Sequence, residues 1–205
     1  QTNIRDLASD MEPNEVVKEE ILESVARTQK QIQRCKSITT KILQFGSNTE
    51  NQPKPTRLGE HVVEIAKLLR RQAAASNVEL SVEIEAGLPA ILVSETELEQ
   101  VLVNLVNNSL YALPKGGHIT IVARPCDKEV ICEVIDDGTG ISPQHLDRIF
   151  EPFFTTKPTG KGTGLGLSVC YGIVRSWGGR MEVESRPGKG TTMRVRIPVA
   201  AAKEP

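Results

Sequence analysis

The sequence predicts an α+β chain: a two-layer α/β sandwich, with a mixed sheet and helices on one face, preceded by a helical hairpin or bundle segment. Three observations carry this reading. Residues 14–46 hold an apolar stripe at helical spacing, residues 47–55 break it with polar residues and two prolines, and from Thr56 onward short strands outnumber the helices set between them.

In the first part, Ile21, Val25, Thr28, Ile32, Cys35, Ile38, Ile42 and Phe45 recur mostly three and four residues apart, with Glu, Lys, Arg and Gln between them. That is the narrow stripe of a coiled coil or bundle. Asn14 is the expected N-cap, Pro13 blocks a continuous helix before it, and Gly46 ends the pattern. Residues 2–11 read as the tail of an earlier helix, so 11–14 would turn one helix back on the next. A hairpin of this kind buries its stripe by pairing with a second one; a plain helical spacer stays open. Residues 1–46 are thus read as one helical segment, 47–55 as a linker and 56–200 as a second domain.

The second domain reads as a helix over 60–75, a strand over 78–84, a helix over 96–113 and strands over 119–123 and 130–135. A glycine-rich stretch follows, then a helix over 165–177 and strands over 180–184 and 192–198. Lys115, Gly116 and Gly117 are read as a hairpin-like turn.

Composition narrows the function. A hydrophobic fraction of 39% supports a globular core, and with aromatics at 3% that core must be filled by Leu, Ile and Val. A net charge of -1 argues against a broad nucleic-acid or anionic-membrane surface. No apolar run reaches the roughly 20 residues of a membrane helix. Cys35, Cys126, Cys132 and Cys170 form no close pair and have no histidine at metal-ligand spacing, so reduced thiols in a cytoplasmic setting are expected. The chain starts at Gln1 without Met and reads as a piece of something longer.

Four segments carry chemistry. Asn104 and Asn108 lie four apart on one face of a helix, among Leu102, Leu105 and Val106. Amides there need partners, and an amide oxygen suits Mg²⁺. Asp136, followed by Asp137, Gly138, Thr139 and Gly140, sits at a strand end, where its carboxylate can accept from an exocyclic amine such as that of adenine. Gly160 to Ser168 holds four glycines and runs into a helix, an arrangement that leaves N–H groups free for phosphate. It is neither a Walker A loop nor a dinucleotide-binding fingerprint. Gly188 to Thr192 is a weaker glycine segment, readable as a turn between strands.

In this order the segments resemble the N, G1, F, G2 and G3 boxes of sensor histidine kinases: 104–109, 136–140, 150–157, 162–166 and 188–191. The resemblance covers about residues 14–198. It implies the Bergerat ATP-binding fold and the cofactors ATP and Mg²⁺. It implies Asn108 as the Mg²⁺ ligand, Asn104 as its partner toward the phosphates, and Asp136 as the adenine contact, with Gly138 and Gly140 shaping the pocket. Residues 142–163 would be a mobile lid with Phe150, Phe153 and Phe154 packed beneath it, and Lys157 and Lys161 would neutralise the phosphates. Gly162, Thr163, Gly164, Leu165, Gly166 and Thr191 complete the expected nucleotide-binding set, and Asn104 and Lys157 are the residues expected to act in catalysis. Tyr111 belongs to the set as well, at a position where many members carry a basic residue that meets phosphate. Ser94 stands where an Asp is common.

The helical part resembles the second helix of the dimerisation and histidine-phosphotransfer hairpin. The implied partners are a second copy of the chain and a response-regulator receiver domain. The family's acceptor motif would lie before Gln1, and His61, His118 and His145 are read as structural or surface residues. Two other functions compete: an ATP-hydrolysing clamp of related fold, and a non-catalytic ATP-binding module. Asn104 separates the first of these, because hydrolytic relatives place a Glu there as general base and an amide cannot take that proton. The second predicts a broken Asp136, Asn108 or glycine loop, and all three are intact.

Overall fold

The computed structural model describes residues 21–26, 28, 52–158 and 162–200. The chain divides into two units, Gln1–Glu50 and Asn51–Pro205. In the first, residues 21–26 and 28 are helical, and the Thr28 hydroxyl donates to the Ser24 carbonyl at 2.9 Å. The rest of the expected 14–46 helix, its Asn14 cap and the turn before it lie outside the described residues.

The second unit is built from β1 (Lys54–Thr56), α1 (Leu58–Ala75), β2 (Val78–Ile84), β3 (Ile91–Val93), α2 (Glu95–Ala112), β4 (Gly117–Cys126) and β5 (Glu129–Asp136). There follow a short α3 (Pro143–Leu146), α4 (Gly166–Ser176), β6 (Arg180–Ser185) and β7 (Thr191–Pro198). Five strands form one sheet in the order β2-β4-β5-β7-β6, with β2 and β4 parallel and the other pairs antiparallel. The mixed sheet is as expected.

Register shows which face is buried. Ile119 pairs with Asp136, Ile121 with Val134 and Ala123 with Cys132; Met193 pairs with Val134, and Val195 with both Cys132 and Met181. All of these are buried, and they form the face toward the helices, since side chains alternate along a strand. The apolar stripes of α1 (Leu58, Val62, Ile65, Ala66, Leu69, Ala73) and α4 (Val169, Cys170, Ile173, Val174) close over that face with α2, which packs against both. The other face is charged: Arg180, Glu182, Arg194, Arg196, Glu129 and Glu133 interlock across three strands. Glu133 is buried there because Arg194 and Arg124 both pair with it.

The structure corrects two readings and adds one strand. Lys54 and Pro55, taken as the end of the linker, are strand residues paired with Val93 and Leu92 in a separate two-stranded sheet. The sequence reading missed β3 because three residues are too few to show a period. Lys115 to Gly117 is no hairpin but the link from α2 to β4, and Gly117 accordingly donates to the Asn77 carbonyl. The hairpin lies instead at Asp127 and Lys128, between β4 and β5, with Asp127 at φ 53°.

Candidate nucleotide site

The site is organised by α2. Ser94 caps this helix, accepting from the Glu97 N–H at 3.4 Å, and Glu95 and Glu97 sit in the first turn, where the helix dipole favours negative charge. This gives Ser94 a structural reason that the sequence alone did not. One flank of α2, with Leu98, Val101, Leu102, Leu105 and Val106, is buried in the core. Asn104 and Asn108 are half-buried at its margin. Asn107 turns the other way and accepts from the Gln72 amide of α1 at 2.9 Å, a packing role.

Asp136 ends β5 at 6% exposure, bonded to three elements. Its Oδ2 accepts from the Ser109 hydroxyl of α2 at 2.8 Å; its Oδ1 accepts from the Gly138 N–H at 3.0 Å and the Thr191 N–H of β7 at 3.2 Å. A carboxylate has about four acceptor positions. Three are filled, leaving room for one donor from a ligand. Burial raises the pKa of Asp136, against the three hydrogen bonds that pull it down. Ser109, absent from the expected set, adjoins Asn108 in sequence, so one residue joins the Asp136 end of the site to the asparagine end. Its signal in the sequence was only a hydroxyl on the otherwise apolar buried flank of α2. Thr191 contributes its backbone N–H; its hydroxyl lies 2.9 Å from that of Ser185.

The G1 and G3 glycines serve mainly to bring two backbones together. A Cβ on Gly190 would lie 1.8 Å from the Asp136 carbonyl oxygen, and one on Gly140 would lie 2.1 Å from that of Arg186. Both glycines have positive φ, 84° and 68°. The Gly188 N–H donates to the Thr139 carbonyl at 2.8 Å. The turn at Arg186–Lys189, closed by the Lys189 N–H donating to the Arg186 carbonyl at 3.0 Å, is therefore clamped on the Asp136 loop, which fixes the carboxylate.

The aromatic segment splits. Phe150 lies 5.2 Å from the Tyr171 ring, and Phe154 lies between His145, at 5.5 Å, and Arg148, at 4.6 Å. Phe153 does not pack beneath anything: it is 63% exposed at φ 66°. Its N–H donates to the Gly164 carbonyl at 2.9 Å, which ties this segment to the glycine loop. Gly162 lies beside Thr155 and Lys157, and the Thr163 hydroxyl accepts from the Leu165 N–H at 3.4 Å. Lys161 lies outside the described residues. No side chain caps α4, and its N-terminal end is the kind that attracts anions. Gly166, the first residue of α4, faces the Asn104 amide oxygen, which lies 3.6 Å from its would-be Cβ.

Lys157 completes the arrangement. Its ammonium donates to Asn108 Oδ1 at 3.0 Å and lies 4.3 Å from the centre of the Tyr111 ring. Burial lowers its pKa. Lys157 takes one of the two lone pairs of the Asn108 oxygen, which leaves the other for a metal, and Asn104 offers a second amide oxygen one turn away. Two neutral oxygens fit Mg²⁺, which keeps water and takes phosphate oxygens for its remaining ligands. Among the described residues no cluster of His, Cys, Asp and Glu is set for a metal, so the donors available are amide oxygens.

The three histidines are engaged elsewhere. His61 meets Glu95 at 3.0 Å, His118 meets Asp137 at 2.9 Å, and His145 packs on Phe154. Among the described residues Cys126, Cys132 and Cys170 are free, with burial pushing the thiols of Cys132 and Cys170 up to about 12. No described helix is long and apolar enough to cross a membrane.

Residues 93–201 match the family described as histidine kinase-, DNA gyrase B-, and HSP90-like ATPase. Over 180 residues the chain is 37% identical to the sensor kinase CckA of Brucella abortus, covering 80% of this chain and 19% of that protein. The chain therefore spans about a fifth of that relative's length. Among solved structures it is similar to the catalytic domain of the histidine kinase ThkA, at TM-score 0.64 and 31% identity, covering 72% of this chain and 95% of that one. It is similar too to ThkA in complex with the response regulator protein TrrA, at TM-score 0.70 and 25% identity, covering 95% of this chain and 55% of that one.

Proposed function

Because the chain belongs to the histidine kinase-, DNA gyrase B- and HSP90-like ATPase family, we propose that it binds Mg-ATP and delivers the γ-phosphoryl group to a protein histidine outside these 205 residues. The observation that carries this reading is the pairing of Asn104 with Asn108, on a helix whose next residue, Ser109, holds Asp136. Asp136 offers its remaining acceptor position to the adenine amine. Asn108, with Asn104 beside it, would hold the metal, which offsets negative charge on the phosphates. Lys157 adds a positive charge at the same place, and the N-terminus of α4 receives phosphate oxygens.

The reaction itself asks little covalent chemistry of the protein. An imidazole nitrogen bonds to the γ-phosphorus as the bond to the ADP oxygen breaks, and positioning supplies most of the rate. With an amide at position 104 no carboxylate stands there to take a proton from water, which preserves the phosphoryl group for the imidazole. His61, His118 and His145 each hold a structural contact, which supports an acceptor elsewhere. The likeness to ThkA in complex with the response regulator protein TrrA supports a response regulator as partner, with one of its aspartates proposed as the next acceptor, and the stripe of residues 14–46 supports pairing with a second copy. The free, buried thiols of Cys132 and Cys170 support a reducing, cytoplasmic setting.

The test is incubation with γ-labelled ATP and Mg²⁺, using this chain alone and a longer chain extended before Gln1 through an acceptor helix. The extended chain should gain an acid-labile, alkali-stable phosphate, while the 205 residues stay unlabelled. Stable labelling of His61, His118 or His145, or release of inorganic phosphate alone, overturns the proposal. In calorimetry Asn108→Ala should abolish the Mg²⁺ dependence of ATP binding.

A further inference from the structure

We propose that Tyr111 is a positioning residue: its ring holds the Lys157 ammonium at Asn108, so that the segment after β5 presents one fixed positive charge to the terminal phosphate of a nucleoside triphosphate. The inference rests on the nucleotide reading above and names the device that would favour ATP over ADP at that site.

The argument starts from helical spacing. Asn104, Asn108 and Tyr111 stand at i, i+4 and i+7 on α2 and share one face. Tyr111 is 45% exposed, so its ring does not fill the core. What it does meet is a cation: Lys157 Nζ, 4.3 Å from the ring centre, within the range where an aromatic face attracts an ammonium. The same Nζ donates to Asn108 Oδ1 at 3.0 Å. Lys157 comes from a distant part of the chain, 49 residues after Asn108, and a lysine in such a segment ordinarily keeps its head in water. Here the head is drawn in and partly desolvated, with one amide oxygen and one ring as its partners. An ammonium has three donors, so after Asn108 takes one, others stay available for an anion. Tyr111 makes no contribution of its own to the charge; it fixes where the charge sits.

Tyr111→Phe keeps the π face and Tyr111→Leu removes it while keeping apolar bulk, and neither disturbs the core. In the ligand-free chain, the resonances of the Lys157 ε-methylene should carry a ring-current shift in the parent and in Tyr111→Phe, and lose it in Tyr111→Leu. By calorimetry with Mg²⁺, Tyr111→Phe should bind ATP within about twofold of the parent. Tyr111→Leu should bind it roughly three- to tenfold more weakly, with ADP changed less. In a Lys157→Met background the Tyr111→Leu change should have no further effect. ATP bound by the parent, together with equal ATP affinity in the Phe and Leu variants or a Leu effect that persists without Lys157, overturns this inference and leaves the nucleotide site standing. No ATP binding by the parent overturns the nucleotide reading, and this inference with it.

Discussion

Asp136 offers a test that separates folding from binding, because its three protein partners can be lost or kept by choice of substitution. Asp136→Ala removes the acceptor from the Ser109 hydroxyl and from the Gly138 and Thr191 N–H groups. The hydroxyl can rotate to another acceptor, whereas the two amides are fixed. Each buried donor left unpaired costs about 1–3 kcal/mol, so a loss of about 2–4 kcal/mol is expected once the relief of a buried charge is set against it. Asp136→Asn behaves differently. Its oxygen can keep facing the two amides while its amide group donates to Ser109, so all three bonds survive and stability should change by about 1 kcal/mol or less. The acceptor position left for adenine, however, becomes a donor facing a donor. Losing that charge-assisted bond costs about 1.5–3 kcal/mol, or roughly 10- to 150-fold in Kd for ATP. Urea unfolding reads the first quantity and calorimetry the second. If Asn destabilises as much as Ala, the hydrogen-bond network is not as described; if Asn binds ATP within twofold of the parent, Asp136 is not the base contact. The pH dependence has a definite sign. Burial raises the pKa of Asp136 on folding, so its contribution to stability is full below the unfolded value and is lost as pH rises through the folded one. The Asn variant should therefore gain on the parent as pH rises above the ordinary aspartate value of about 4.

Gly190→Ala should cost roughly 3 kcal/mol or more in urea unfolding, since positive φ and a 1.8 Å clash with the Asp136 carbonyl act together. Gly188→Ala, with φ 72° and open space around its Cβ position, should cost only about 1–2 kcal/mol; equal costs would refute the clamp between the two loops. His118, hydrogen-bonded to Asp137, has a raised pKa, and Asp137, bonded to the His118 N–H and ring, a lowered one. The pair's contribution is therefore present between about pH 4 and 6.5 and fades as the imidazole deprotonates above that. His118→Gln should lower the thermal midpoint more at pH 5.5 than at pH 8.5, and a uniform drop would exclude the ion pair as the cause.

The sequence by itself determined the long elements and the chemistry of α2. Apolar residues at positions 98, 101, 102, 105 and 106 force one side of a helix inward, and that leaves Asn104 and Asn108 together at its margin whatever the surrounding fold. Alternation in β2 and β7 fixed their extents almost to the residue, because a strand buried on one face must repeat every two positions. Short-range pattern could not find β3, a strand of three residues whose partner lies 35 or more residues earlier in the chain. Nor could it tell that Gly140 and Gly190 are spacers between two loops, since the atoms they avoid belong to Arg186 and Asp136. The aromatic segment misled for a related reason: three Phe residues read as a packed cluster, yet Phe153 stands at positive φ with its ring exposed. Only the tertiary structure set Lys157 between Tyr111 and Asn108. Their sequence separations of 46 and 49 residues carry no periodic signal, and the contact exists because folding lays the segment after β5 across the exposed flank of α2.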